Sequence, residues 1–162
     1  PIILWPTLRS MILAGGRLLV FTESGKPGVD WLHPAFESFQ ETPYTFHAPD
    51  EFSCKPNRGG TSGTLFQVNH WIETTPAPRP SNAMIVNTYD VLMKRARDCE
   101  KERGLKPTYI GVDFADIGDI VKATRAMNGL DTAGTRGGGE AGKRGSRTAE
   151  RERASCQTYW IS

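Results

Sequence analysis

The chain has 162 residues, of which 23% are charged and 38% hydrophobic, and its formal net charge is +2. This composition is typical of an ordinary globular protein with enough residues for one domain and its core. No apolar run approaches the roughly 20 residues needed to cross a bilayer, which excludes a transmembrane helix.

The excess positive charge is concentrated at the C-terminal end. Residues 131–162 hold six Lys or Arg and four acidic residues, so residues 1–130 are neutral overall. A nucleic-acid-binding domain usually carries a basic folded face with aromatic side chains for stacking. The chain lacks that pattern, and we expect no nucleic-acid partner.

The N-terminal end has no signal-peptide pattern. The first residue is Pro1 rather than Met, and no basic segment precedes an apolar one. Either the N-terminus is processed or the true start lies upstream. We expect the second, for the architectural reasons that follow.

Two elements are predicted near this end. Pro6 suits a first helical turn, and Gly15-Gly16 ends that helix. The nearly continuous apolar run 17–22 predicts a strand buried on both faces of a parallel sheet. Residues 24–63, rich in Gly, Pro and aromatic residues, predict a long loop with at most a short helix over 33–40.

The second half has clearer periodicity. Residues 64–70 and 108–114 predict two further strands, and apolar side chains at helical spacing predict a helix over 82–103. Asp116 is the predicted N-cap of a last helix that ends at Asn128-Gly129. The basic residues of the longer helix fall mostly off its apolar stripe and predict a solvated face: Lys94, Arg95 and Arg97.

The last segment, 131–162, is rich in Gly, Ala, Arg and Glu. It cannot bury enough apolar surface to offset the entropy of ordering, so a disordered tail after a domain at 1–130 is predicted. Strands separated by helices predict an α/β fold, a parallel sheet with outer helices. About three strands make only part of a (β/α)₈ TIM barrel, which needs about 250 residues.

The three cysteines, Cys54, Cys99 and Cys156, lack the short spacing of a zinc or redox site. They are consistent with three free or buried thiols, or with a Cys54–Cys99 disulfide that leaves Cys156 over. Spacing alone leaves both interpretations open.

A series of segments then carries a family resemblance. It includes Trp-Pro-Thr-Leu at 5–8, Cys-Lys-Pro-Asn-Arg at 54–58 and Gly-Val-Asp-Phe at 111–114. The full series, in chain order, is 5–8, 17–21, 41–44, 54–58, 65–71, Asn87, Cys99, 107–114, 118–119 and 127–129. Together they resemble the phosphatidylinositol-specific phospholipase C X-domain-like proteins over residues 5–130. Members of that family are TIM-barrel phosphodiesterases and are largely secreted.

The resemblance implies a phosphoric diester hydrolase or lyase that acts on a phosphodiester, for example a phosphoinositide. In the family one His is the general base, a second His protonates the leaving oxygen, and an Arg stabilises charge on phosphorus. Both histidines lie on early strands that have no counterpart here, and His33, His47 and His70 fall elsewhere. The resemblance therefore implies a fragment that is inactive alone and whose partner is the missing N-terminal half-barrel.

No cofactor is implied by the resemblance. Some relatives use Ca²⁺, but the acidic ligands that hold it cannot be placed in this chain, and no metal site is predicted. Cys54 and Cys99 lie at family positions, so the resemblance favours their disulfide, which would tie the long loop to the 82–103 helix.

Functional groups of a TIM barrel lie at the carboxyl ends of its strands. On this basis Asp113 is a candidate catalytic residue that orients the base histidine, as the carboxylate does in a Ser-His-Asp triad. Alternatively, it only holds the strand end. The candidate rim residues for binding are Glu23, Asn69, His70 and Trp71, and the alternatives are a hydrogen-bonded His70 without a binding role and a Trp71 that packs.

Two other interpretations stay open. The chain is consistent with a non-catalytic binding or interaction module that uses 24–63 as its surface. It is also consistent with an incomplete gene product that has no function of its own.

Overall fold

The computed structural model describes residues 5–25 and 28–130, and the predicted tail 131–162 lies outside them. The helices are α1 Leu8–Leu13, α2 Ala35–Ser38, α3 Pro80–Val86, α4 Tyr89–Arg103 and α5 Ile120–Met127, with a 3₁₀ turn at Pro49–Glu51. The strands are β1 Val20–Thr22, β2 Leu32–Pro34, β3 Phe39–Glu41, β4 Leu65–Asn69 and β5 Tyr109–Gly111.

Every strand pairing in the described residues is parallel. β1 pairs with β2, and β3, β4 and β5 form a second sheet in that order. Parallel strands combined with helices along the chain confirm the predicted α/β class. In this part of the chain the two sheets do not close into a barrel.

The N-terminal predictions are only partly right. The helix before Gly15 is present, and Thr7 caps it by accepting a hydrogen bond from the Ser10 N–H. The strand predicted over 17–22 begins at Val20, and Leu18 is 80% exposed, so the expected burial on both faces is wrong.

The short helix allowed over 33–40 is present as α2, but the rest of the predicted loop over 24–63 is wrong, because it also contains β2 and β3. Each of these strands has only three residues and includes polar residues or proline, so neither shows apolar alternation. Their backbone partners come from elsewhere: β3 pairs with β4, which lies more than 20 residues further along the chain.

The predicted helix over 82–103 is two helices, α3 and α4, separated at Asn87 and Thr88. Asn87 is fully buried, and its Nδ2 donates to the carbonyl oxygens of Asp113 (2.9 Å) and Ile117 (3.2 Å). These bonds tie the helix break to the loop that follows β5. The apolar periodicity continues across the break, which therefore leaves no signal in the sequence.

Asp116 does not cap the last helix. α5 begins at Ile120, after Asp119, and the Asp119 side chain makes no capping bond to α5. The Asp119 Oδ2 instead accepts a hydrogen bond from the Tyr89 N–H (3.1 Å), at the first turn of α4. The carboxylate thus stabilises the N-terminus of a neighbouring helix, which sequence spacing cannot reveal.

The core lies between the sheet and α4. Phe66 and Val68 of β4 pack on the disulfide between Cys54 and Cys99, whose sulfur atoms are 2.02 Å apart. The structure thus decides between the alternatives for these cysteines, while Cys156 lies outside the described residues. A second cluster joins α4 to α5 and consists of Leu92, Met93, Ile120 and Ala123.

We predict that Gly118→Ala is more destabilising than Gly104→Ala. Both glycines have positive φ, +90° and +63°, so each substitution places a side chain in a left-handed backbone at a cost of about 1 kcal/mol. A Cβ at Gly118 would also lie 2.4 Å from the Asn87 carbonyl oxygen, whereas nothing lies within 4 Å at Gly104. Because this Cβ would overpack the site, we expect Gly118→Ala to lower the free energy of unfolding by about 3 kcal/mol.

Urea unfolding of the two variants measures this difference. Equal losses of unfolding free energy in the two variants would show that the loop after β5 can move away from Asn87 without cost, contrary to the packing described.

Candidate functional site

Polar side chains collect at the carboxyl ends of the parallel strands. Glu23 follows β1, Glu41 ends β3 and Asn69 ends β4. Arg58, from the loop between β3 and β4, contacts the first two of these residues. Because the carboxyl ends of parallel strands face the same way, this cluster is the candidate functional site.

The buried centre of the cluster is Glu41, which is only 2% exposed. Arg58 donates two hydrogen bonds to its carboxylate, from Nε to Oε1 and from Nη2 to Oε2, the latter at 3.1 Å. Asn69 Nδ2 also donates to Oε2 (3.2 Å), and Asn57 Nδ2 donates to Oε1 (3.4 Å). The hydrogen bonds that Arg58 donates to Glu41 raise the pKa of the guanidinium, so Arg58 stays charged.

Arg58 also reaches across to the first sheet. Its Nη1 donates to Glu23 Oε2 (2.9 Å), and the two side chains are 34% and 43% exposed. Its guanidinium carbon lies over two aromatic rings, 4.7 Å from the centroid of Phe36 and 4.9 Å from that of Tyr44. Both contacts favour the cation.

Of the sequence-predicted rim residues, Asn69 is deeply buried. Its Nδ2 donates to the Thr42 carbonyl oxygen (2.8 Å) as well as to Glu41, and its Oδ1 accepts from Gln67 Nε2 (2.7 Å). The amide therefore holds the ends of β3 and β4 together. A binding role for Asn69 stays a prediction.

Trp71 lies just beyond the end of β4 and is half-buried. It stacks with Tyr44 at a ring-centroid distance of 6.4 Å, and a Cβ at Gly111 would lie 3.2 Å from its Cζ3. The glycine therefore leaves room for the indole over β5. Trp71 packs in this position, and whether it also binds a ligand stays a prediction.

His70 is fully buried beneath the rim. Its Nε2 donates to the Val86 carbonyl oxygen (2.8 Å), and its ring lies 4.8 Å from that of Phe52. Burial lowers its pKa to about 4, a shift that the hydrogen bond to Val86 opposes and the charge of Arg95 reinforces. His70 is thus buried and hydrogen-bonded through Nε2, and whether it also binds a ligand stays a prediction.

Arg95 is not on a solvated face, as the sequence predicted, but is buried beside His70. Its Nη2 donates to the carbonyl oxygens of Ser53 (3.1 Å) and Asn69 (3.0 Å). Its guanidinium lies over the rings of Phe52 and Phe46, and burial lowers its pKa to about 10. Arg95 thus fastens the loop after β3 to the end of β4.

Asp113 lies two residues beyond the end of β5. Its side chain is half-buried, and burial raises the pKa of its carboxyl group. Among the described residues its carboxylate has no hydrogen-bond or ion-pair partner, although its backbone oxygen accepts from Asn87. The catalytic role assigned to Asp113 stays a prediction.

The two residues at the centre of the site were not among the predicted site residues. Glu41 and Arg58 fall within segments that carry the family resemblance, but no role was assigned to them. The missing signal was β3: without a strand that ends at residue 41, nothing places Glu41 at the edge where Glu23 and Asn69 lie.

The described residues contain no group of three or more His, Cys, Asp or Glu side chains placed to hold a metal ion. None of their helices is both long enough and apolar enough to cross a membrane.

Comparison with known proteins gives one family. A family model described as PI-PLC X matches residues 2–128. The chain is 30% identical over 141 residues to the PI-PLC X domain-containing protein 1 of Arthroderma benhamiae, with 78% of this chain and 45% of that protein covered. The chain thus spans less than half the length of that relative. No solved structure matches it.

We predict that His70 stays neutral in the folded chain down to about pH 4. An unfolded histidine has a pKa of about 6.5, whereas that of folded His70 is about 4. Between these values the unfolded chain binds the extra proton, so stability rises with pH. The contribution of His70 to the free energy of unfolding is complete above about pH 6.5 and is lost as pH falls to about 4. The free energy of unfolding changes by about 3 kcal/mol between these pH values.

Nitrogen NMR of histidine-labelled protein at pH 5 measures this directly. We expect a neutral His70 ring with its proton on Nε2. A protonated His70 in the folded chain at that pH would contradict the burial described.

Proposed function

The chain belongs to the PI-PLC X family, and we propose that it is the C-terminal part of a TIM-barrel phosphodiesterase of the phosphatidylinositol phospholipase C type. In this proposal the described strands form one side of the barrel. A preceding half-barrel supplies the two acid–base histidines, and the chain by itself does not turn over substrate.

The strand arrangement supports a partial barrel. Five parallel strands follow one another in chain order, and α4 covers one face of the second sheet. The other face carries a half-buried aromatic row, in which Phe21 contacts Phe39 (4.7 Å between ring centroids) and Phe39 contacts Tyr109 (5.1 Å). Large side chains that fill the space inside a closed sheet are typical of TIM barrels.

The unpaired carboxylate of Asp113 is the observation that carries the catalytic part of the proposal. Asp113 lies just after the last described strand, and burial raises the pKa of its carboxyl group. Since no described cation contacts this carboxylate, it is available to a group from outside the described residues. It would accept a hydrogen bond from Nδ1 of the base histidine, hold that ring in one tautomer and stabilise the imidazolium.

Within this proposal each group has one chemical task. The base histidine removes a proton from the hydroxyl that attacks phosphorus, and the second histidine protonates the leaving oxygen. The substrate is a phosphodiester, with an inositol phospholipid as the example that the family suggests. The reaction as proposed uses no cofactor.

We also propose that the parent protein is secreted. A buried disulfide between Cys54 and Cys99 supports this localisation, because structural disulfides persist in oxidising compartments. The rival proposal, a non-catalytic binding module that uses 24–63 as its surface, draws support from the same disulfide, since Cys54 attaches that segment to α4.

We predict that the 162-residue chain does not hydrolyse a chromogenic phosphodiester, and that a protein including the in-frame segment upstream of Pro1 does. In that longer protein, Asp113→Asn should lower kcat by about 10³- to 10⁴-fold with little change in KM, because the base histidine loses its orientation. The matched control is Asp116→Asn, an exposed carboxylate three residues away, which should leave kcat unchanged.

Three results would contradict the proposal. One is an upstream segment that lacks a pair of histidines on strand-like runs, which favours the binding module. Another is turnover by the chain alone that Asp113→Asn abolishes. The third is an equal effect of Asp113→Asn and Asp116→Asn on kcat.

A further inference from the structure

The turn that carries Asp113 has a strained backbone. Phe114, the next residue, has a φ of 52°, and among the described residues it alone combines a positive φ with a side chain. In this left-handed conformation the Cβ of a bulky residue crowds the backbone carbonyl oxygen. Such a conformation persists only where the surrounding structure holds it. The contacts around Asp113 and Phe114 therefore have to fix this turn.

The side chain of Asn87 supplies these contacts from the break between α3 and α4. Its Nδ2 donates to the carbonyl oxygens of Asp113 (2.9 Å) and Ile117 (3.2 Å), and the Phe114 carbonyl oxygen lies 3.5 Å from the same nitrogen. An amide oxygen in that place would be repelled by these three acceptors, so the orientation of the amide is fixed. One side chain thus holds the backbone on both sides of the strained residue.

The backbone of Asn87 holds the far end of the same turn. Its carbonyl oxygen accepts from the Asp119 N–H (2.7 Å), and a Cβ at Gly118 would lie 2.4 Å from that oxygen, so only glycine allows this approach. Asn87 is fully buried, and breaking its bonds would leave buried polar groups without partners. Residues 113–119 are therefore fastened at both ends to one residue.

The carboxylate of Asp113 takes no part in these contacts. Its backbone oxygen is held by Asn87, whereas its half-buried side chain has no hydrogen-bond or ion-pair partner among the described residues. A fixed backbone beneath a side chain without partners presents that side chain in a narrow range of positions. Sites of catalysis depend on this kind of support.

We infer that Asn87 is a positioning residue for Asp113: its side-chain amide holds the strained turn, so that the carboxylate stays at the end of β5. The inference rests on the proposed function, in which Asp113 orients the base histidine. Asn87 touches neither the histidine nor the substrate in this account and acts through the backbone of Asp113. Without it, Phe114 would relax to a negative φ and carry the carboxylate away.

The first test is a carbon NMR titration of the Asp113 carboxyl group in the 162-residue chain. In the unaltered chain burial raises the pKa of this group. In Asn87→Ala the pKa should fall toward the ordinary aspartate value, because the relaxed turn exposes the carboxylate to water. A purely structural role for Asn87 would lower the free energy of unfolding without moving this pKa.

The matched control is Asn82→Ala. Asn82 also lies on α3, but its Nδ2 has no hydrogen-bond partner among the described residues. The control should leave the pKa of Asp113 unchanged. An unchanged pKa of Asp113 in folded Asn87→Ala, or equal falls in the two variants, would overturn the inference.

A second measurement needs no change at Asn87, so it also applies if Asn87→Ala does not fold. In the unaltered chain, the nitrogen and proton NMR signals of the Asn87 side-chain amide should move with pH at the midpoint of the Asp113 titration. They should stop doing so in Asp113→Asn, and the Asn82 amide signals should not follow this titration. Asn87 signals that ignore the titration of Asp113 would contradict the contact on which the inference depends.

Kinetics of the longer protein, with its upstream segment, separate positioning from general stabilisation. Asn87→Ala should lower kcat about 10²-fold at unchanged KM, as expected when a catalytic group is displaced by about 1 Å. In Asp113→Asn the same change should lower kcat no further, because the carboxylate that Asn87 positions is gone. Equal falls of kcat in the two backgrounds would overturn the inference. A longer protein without phosphodiesterase activity would refute the proposed function, while the pKa of Asp113 in Asn87→Ala would still decide whether Asn87 positions it.

Discussion

The buried ion pair between Glu41 and Arg58 holds the carboxyl ends of the strands in one place. Glu41 ends β3, and Asn69 Nδ2 from the end of β4 donates to the same carboxylate. Arg58 extends the contact to Glu23, which follows β1, and to the ring of Phe36 in α2. Two sheets that share no strand pairing are therefore joined through one guanidinium. Burying the Glu41 carboxylate carries a large desolvation cost, so losing Arg58 leaves that charge without a cation.

The position of Arg58 depends in turn on how its loop is attached. The Cys54–Cys99 disulfide fixes the chain four residues before it, and Arg103 of α4 donates to the Cys54 carbonyl oxygen (3.1 Å). Arg95, from the same helix, holds the Ser53 carbonyl oxygen and stacks on Phe52. Helix α4 thus orders the loop that carries Arg58. A site assembled in advance in this way loses less entropy when a ligand binds.

Local pattern was enough to predict part of this fold. The apolar runs of β4 and β5 and the periodicity of α4 are visible in the sequence, because each element packs along its own length. The strands β2 and β3 were missed since three residues carry no period, and their pairing partners are distant in the chain. Arg95 was misplaced because the rings that bury it, Phe46 and Phe52, lie over 40 residues away. The disulfide was anticipated only through the family resemblance, which located the two cysteines without their geometry.

A double-mutant cycle at Arg58 and Glu41 tests the central role of their ion pair most directly. Free energies of unfolding are measured for Arg58→Gln, Glu41→Gln and the double variant, and the same cycle is run on the exposed pair Lys94–Asp98. Each single change at the buried pair should cost about 3 kcal/mol, with a coupling energy of about 2–3 kcal/mol. The exposed pair should couple by no more than about 0.5 kcal/mol. Additive losses at Arg58 and Glu41 would contradict the account, because the strand ends would then be held by other contacts.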